Sequence, residues 1–203
     1  SYTMMDRNLG ATSTVPGNAA SMGLLYQWGR KDPFLGSSIN NNIRAKSSII
    51  WQLDWSSPEK GTSKYVIAHP TTYIRESTST DWYYAGRYDQ LWMSEKTLYD
   101  PCPVGWRVPD LNDGLKDCLG GMYDSVYKGY RLTTGESIWY PAAGLIQGSY
   151  GTYYKVGEVG LYWTVSTNGN QAEAIRFSND SRVSIEHSSR ANAMSVRCVK
   201  DSE

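Results

Sequence analysis

The chain has 203 residues, long enough for one substantial core or two small ones, and a single domain over 1–203 is the expected arrangement. Twenty basic residues balance twenty acidic ones, so neither a nucleic-acid backbone nor an anionic membrane surface is the expected main partner. No run approaches the roughly 20 consecutive apolar residues of a membrane helix, so direct membrane insertion is not expected either.

Aromatic usage is lopsided, with 16 Tyr and 8 Trp against 2 Phe. Rings with a polar handle suit interfaces as well as wet cores. The sequence starts at Ser1 without a charged-then-apolar leader, as a processed or excised piece would, so any export signal is expected upstream. Three cysteines, Cys102, Cys118 and Cys198, permit one disulfide and one leftover thiol, and their number does not fix the compartment.

In chain order, residues 2–9 read as a short strand ended by Gly10, residues 11–23 as a loop rich in Ser, Thr, Pro and Gly, and residues 24–29 as a second compact apolar piece. From about 31 to 100 there is little periodicity but many aromatic residues, among them Trp51, Trp55, Trp82 and Trp92. Disordered chains are poor in such rings, so this is expected to be an ordered excursion pinned by them.

Residues 101–109 form a strand-and-turn unit ahead of the clearest helix signal. Asp110 caps a helix through Leu111, Leu115, Cys118 and Leu119, whose spacing puts them on one face, with Gly120 and Gly121 as the stop. Cys118 is then a packed thiol rather than a nucleophile. Residues 130–137 and 139–146 read as short strands or turns, followed by a Gly- and Tyr-rich loop over 148–160.

The last third alternates apolar and polar side chains. Leu161, Trp163 and Val165 share one parity, as do Ile175 with Phe177, Val183 with Ile185, and Met194 with Val196 and Cys198, and each set is expected to face a core. The opposite parities carry Thr164, Ser166, Arg176, Ser178, Arg182, Ser184 and Glu186. Asn168, Asn170, Asn179, His187 and Ser188 fall in the connections. Any antiparallel sheet with one wet face shows such a pattern, and a sheet that displays a replaceable polar surface shows it too.

Five motifs in order carry a resemblance over nearly the whole chain: residues 5–12 (MDRNLGAT), 26–34 (YQWGRKDPF), 102–109 (CPVGWRVP), 160–164 (GLYWT) and 190–201 (RANAMSVRCVKD). The chain resembles the major-paralogous-domain proteins of Bacteroidota, many of which end fimbrillin-like surface proteins. The resemblance implies an α+β, C-type-lectin-like fold of the kind shared with formylglycine-generating enzymes. Such a fold has short antiparallel strands, few helices, long ordered loops, and first and last strands that pair. It also implies an extracellular setting, on the cell surface or pilus of a Gram-negative bacterium, with the chain as the C-terminal part of a longer protein. Cys102 and Cys198, each in a family-like motif, are expected to pair in that oxidising space, with Cys118 left on its helix.

The terminal region further resembles the variable segment of proteins diversified by retroelements. In that comparison Trp163, Ala172, Phe177, Val183 and Arg190 match the scaffold. Ser166, Asn168, Asn170, Glu173, Arg176, Ser178, Ser181, Ser184, Glu186, His187 and Ser188 fall at diversifiable places.

Catalysis finds little support in the residues. His69 precedes Pro70 in the aromatic excursion, His187 lies in the polar tail segment, and neither sits in a hydrolase motif. The reactive thiol pair of formylglycine-generating relatives has no counterpart here. No Cys/His cluster has a zinc spacing and no run matches a calcium-binding helical loop, so no cofactor and no metal are expected. The sugar-binding triplets of calcium-dependent lectins are missing too. Phe177-Ser178-Asn179-Asp180 is a distant echo and reads better as a hairpin turn.

Three functions are therefore in play: a ligand-binding adhesin domain, a structural pilus or surface-assembly domain, and an exported enzyme acting on polysaccharide. The first takes a host or bacterial surface protein or glycan as partner, and pilus subunits through an upstream domain. Its contact candidates, within 161–190, are the diversifiable residues together with Tyr162, Thr164 and Asn179. Tyr153, Tyr154 and Tyr162 are the expected aromatic anchors at its edge.

Overall fold

The computed structural model describes residues 3–37, 51–118, 120–132, 138–180 and 182–201. The first of these segments runs beside the last. Met4 forms an isolated antiparallel bridge with Val199, and the amides of Met5 and Leu9 donate to the carbonyls of Cys198 and Val196 at 2.9 and 2.8 Å. The strand expected over residues 2–9 is reduced to these bonds, because Asn8 turns inward and is buried; Tyr2 lies outside the described residues.

Next, β1 (Leu24–Gln27) pairs antiparallel with β2 (Phe34–Leu35). The aromatic excursion holds more regular structure than its sequence suggested: β3 (Gln52–Trp55) and β4 (Thr72–Arg75) pair in parallel, joined through α1 (Ser63–Ala68). These elements are four to six residues long, too short to leave a periodic signature. Indole N–H groups tie the region down: Trp82 Nε1 donates to the Trp28 carbonyl at 2.7 Å and Trp92 Nε1 to the Tyr99 carbonyl at 2.9 Å.

The 101–109 unit forms β5 (Trp106–Arg107), followed by α2 (Leu111–Cys118). Asp110 caps α2, its Oδ1 accepting from the Asp113 amide at 2.9 Å, and the buried Cys118 is not disulfide-bonded. Leu119 and the side chain of Leu115 lie outside the described residues. After α2, β6 (Gly121–Asp124), β7 (Gly129–Leu132) and β8 (Trp139–Pro141) make a small antiparallel sheet.

The main sheet comes from β9 (Leu145–Ile146), β10 (Tyr153–Tyr154), β11 (Val159–Asn168), β12 (Gln171–Ser178), β13 (Val183–Ser189) and β14 (Ala193–Ser195), in the spatial order β10-β9-β14-β11-β12-β13, with β1 also on β14. The 148–160 loop therefore contributes a strand of its own. A last strand, β15 (Val199–Lys200), pairs with β5. Cys102 and Cys198 are joined in a disulfide with Cα atoms 6.0 Å apart, tying the 101–109 unit to the chain just before β15. Among the described residues the fold is thus mostly sheet with two short α-helices.

Both faces of the main sheet are covered. On one, Leu161, Trp163, Ala172 and Ala174 join the core made with Trp28, Trp82 and Trp92. On the other, Tyr162, Ile175 and Phe177 pack against Tyr130, Tyr140 and Cys118 of the α2–β8 layer. Gly114 lets α2 approach closely, since a Cβ there would lie 3.3 Å from Ile175.

Candidate functional site

The three strands β11, β12 and β13 form an antiparallel meander in which Leu161 faces Arg176 and Arg176 faces Ser184, while Tyr162 faces Ile175 and Ile175 faces Ile185. Residues directly opposite share a face, so this register divides the expected contact residues between two sides of the sheet.

Four of them are buried. Tyr162 donates its hydroxyl to the Pro141 carbonyl at 2.9 Å and accepts from Asn8 Nδ2 at 3.1 Å, and its burial pushes the phenol pKa up. Thr164 Oγ1 donates to the Glu173 carbonyl at 2.8 Å within a bulge between Trp163 and Thr167. Ser178 donates to Asp180 Oδ1 at 2.8 Å, which lowers the pKa of that carboxyl, and Ser188 Oγ accepts from Asn192 Nδ2 at 2.8 Å. Exposure was expected for all four: a second layer covers the face of Tyr162 and Thr164, while Ser178 and Ser188 are taken up by Asp180 and Asn192, neighbours that alternation along one strand does not reveal. Tyr153 is buried as well, donating to the Leu35 carbonyl at 2.6 Å. The opposite correction holds for Ile185, expected in the core and 44% exposed.

Ser166 is half-buried, its Oγ accepting from the Leu111 amide at 3.3 Å at the start of α2. Asn168, Asn170 and Asn179 are exposed in or beside the two hairpin turns; Ser181 lies outside the described residues. At the first turn, Gly169 and Asn170 make a two-residue connection with Gly169 at φ +58°, the left-handed geometry such turns need. Beside it His187 Nε2 lies 3.2 Å from Glu173 Oε1, and Asn168 Nδ2 is 3.3 Å from the same ring nitrogen. This small polar cluster sits at the open end of the sheet.

On the other side, Arg176, Glu186 and Ser188 border a cavity of about 190 Å³ to which β9 through β14 all contribute. Leu145, Val159, Leu161 and Met194 supply its apolar part, and Gln147, Tyr154, Lys155 and Asn192 complete the lining. Ser184 stands opposite Arg176 on the same face. Asn192 is held in place, its Oδ1 accepting from the Gly148 amide at 2.7 Å while Nδ2 binds Ser188.

Lys155 has φ +54°, a conformation that costs a side-chain-bearing residue roughly 1–2 kcal/mol. Its carbonyl accepts from the amides of Glu158 and Val159 at 3.1 and 3.2 Å, and its Nζ lies 5.2 Å from the centre of the Tyr154 ring. Gly144 makes room for this turn, since a Cβ there would come within 2.4 Å of the Tyr154 carbonyl oxygen. Strained backbone concentrates where a side chain must be aimed. Only Tyr154 of this wall was singled out in the sequence. Lys155, Gln147, Asn192 and Leu145 belong to segments that meet the terminal hairpins only after folding.

Arg190 is bonded to the first hairpin, its Nη2 donating to the Gly169 carbonyl at 3.2 Å. Fully buried, it lies 4.5 Å from the Trp28 ring centre, pairs with Asp89 at 2.5 Å, and has Asp81 at 3.8 Å. Burial raises the Asp81 pKa to about 6, opposed by the Tyr83 amide and by Arg190.

Among the described residues, no group of three or more His, Cys, Asp or Glu side chains is placed to hold a metal ion, and no helix is long and apolar enough to cross a membrane. His69 stacks on Tyr65, with ring centres 4.0 Å apart, and its Nδ1 lies 2.9 Å from the Tyr65 carbonyl. Comparison of the chain with protein-family models, with curated proteins and with solved structures finds no match.

Proposed function

We propose that this chain is a non-enzymatic ligand-binding adhesin domain of a cell-surface or pilus protein, with a C-type-lectin-like architecture and its contact surface in the terminal sheet. The observation that carries this reading is the cavity bordered by Arg176, Glu186 and Ser188, three side chains at diversifiable positions, over a sheet packed on both faces. Rigid support with replaceable polar contacts lets recognition change without disturbing the core. The exposed Asn168, Asn170 and His187 add further replaceable polar side chains at the hairpin end.

A screen of glycans and of host and bacterial surface proteins supplies the partner. Replacing Arg176, Ser184, Glu186 and His187 together by Ala should then abolish or redirect binding with little change in melting temperature. A partner whose affinity ignores these changes and falls instead on mutating Trp51, Trp55 or Tyr84 would move the site to the aromatic excursion and sink this reading. Failure of every partner in the screen would favour a structural pilus domain.

A further inference from the structure

Resting on that adhesin reading, we infer that the cavity receives a carboxylate-bearing sugar residue, with Lys155 and Arg176 taking the carboxylate. The inference starts from charge. Arg107, Arg131 and Arg190 lie within ion-pair distance of Asp113, Asp124 and Asp89, and Arg30 and Arg75 lie over the rings of Phe34 and Trp55. Among the described residues, Lys155 and Arg176 have no carboxylate within that distance, yet both line one cavity. With Glu186 as the single acidic lining residue, the cavity carries net positive charge. Arginine and lysine facing the same space recognise an anion through charge-assisted hydrogen bonds, with the guanidinium able to grip a carboxylate through two of them.

The remaining lining identifies the rest of the ligand. A free anion needs only the cations, but here Leu145, Leu161 and Met194 form an apolar surface and the 38%-exposed Tyr154 ring stands beside Lys155. Glu186 offers an acceptor for hydroxyl groups, and Gln147 and Asn192 offer amides. Two cations, a carboxylate acceptor, amides and apolar surface within one lining match a sugar acid, which bears a carboxylate, several hydroxyls and C–H faces. At about 190 Å³ the cavity is smaller than the roughly 300–1,000 Å³ of pockets for drug-sized ligands, so it takes one terminal residue of a glycan.

Amide NMR spectra of the labelled chain, titrated with glucuronic acid, N-acetylneuraminic acid and glucose, test this. One or both acids should shift the amides of Lys155, Arg176 and Glu186 with a dissociation constant around 1 mM, and which acid binds more tightly identifies the source; glucose should shift none of them. Arg176→Gln and Lys155→Gly should each weaken the acid about tenfold or more. The same spectra report whether each variant is folded, and Lys155→Gly suits the left-handed backbone at that position.

Equal shifts with glucose, shifts confined to residues 51–92, or no shift with either acid would overturn the inference. In any of these cases a protein or neutral-glycan partner whose affinity still fell with the Arg176 and Glu186 changes would keep the adhesin reading alive. Loss of all partners would end both.

Discussion

Tyr162 and Trp163, neighbours in the chain, are both buried on opposite faces of one strand: Trp163 Nε1 donates to the Tyr26 carbonyl at 2.8 Å, while the Tyr162 ring lies 5.1 Å from that of Tyr140 in the other layer. The strand therefore couples the two halves of the core. Trp163→Ala should cost about 3–5 kcal/mol by opening a cavity. Tyr162→Phe should cost about 1–3 kcal/mol by leaving Asn8 and the Pro141 carbonyl short of a partner. Chemical denaturation measures both, and a loss below about 0.5 kcal/mol for Trp163→Ala would contradict this packing.

The disulfide closes a loop with a sequence separation of 96 between Cys102 and Cys198. Cys102→Ser should lower stability by roughly 2–5 kcal/mol. Peptide mapping without reduction should recover the cross-linked pair, and thiol labelling of the native protein should leave the buried Cys118 unmodified. A native protein that takes up label at Cys102 or Cys198 would show the bridge to be absent.

Asp81 sets a pH dependence with a defined sign. Its folded pKa is raised from 3.8 to about 6, so the folded state holds the proton more tightly than the unfolded chain. This contribution to stability is full below about pH 4 and is lost as pH rises through about 6. Relative to Asp81→Asn, the wild type should lose stability across that window, with a limiting slope of about 1.4 kcal/mol per pH unit. A difference between the two proteins that stays flat from pH 4 to pH 7 would remove the claim.

Gly144 and Lys155 should respond in opposite ways. Gly144→Ala brings a Cβ against the Tyr154 carbonyl and the Val156 amide at φ +64°, and should cost on the order of 1–3 kcal/mol. Lys155→Gly relieves a left-handed residue and should leave stability unchanged or raise it by up to about 1 kcal/mol. Thermal melts of the two variants decide it, and equal destabilisation by both would count against the described turn.

His187 Nε2 and Glu173 Oε1 lie 3.2 Å apart at the exposed end of the sheet, with the His187 side chain 47% accessible. Such pairs are worth little. His187→Ala should shift stability by less than about 0.5 kcal/mol. A larger loss would mean that the cluster with Asn168 holds the hairpin together rather than decorating it.

Local periodicity and capping were enough to place some elements before folding. The two-residue alternation of Leu161, Trp163 and Val165 marks β11, and Asp110 ahead of Leu111 marks the start of α2, because both signals depend on neighbours a few residues away. The indole-rich stretch declared itself ordered through its rings, though its four-residue strands were too short to show. What sequence alone left open was which polar side chains stay wet. Tyr162, Thr164 and Ser178 alternate as exposed residues do, yet packing partners or folded-back neighbours take them out of solvent. The cavity was hidden for the same reason. Lys155 and Arg176 come from separate strands and turns, and only the sheet order β10-β9-β14-β11-β12-β13, which depends on long-range pairing, sets their charges around one space.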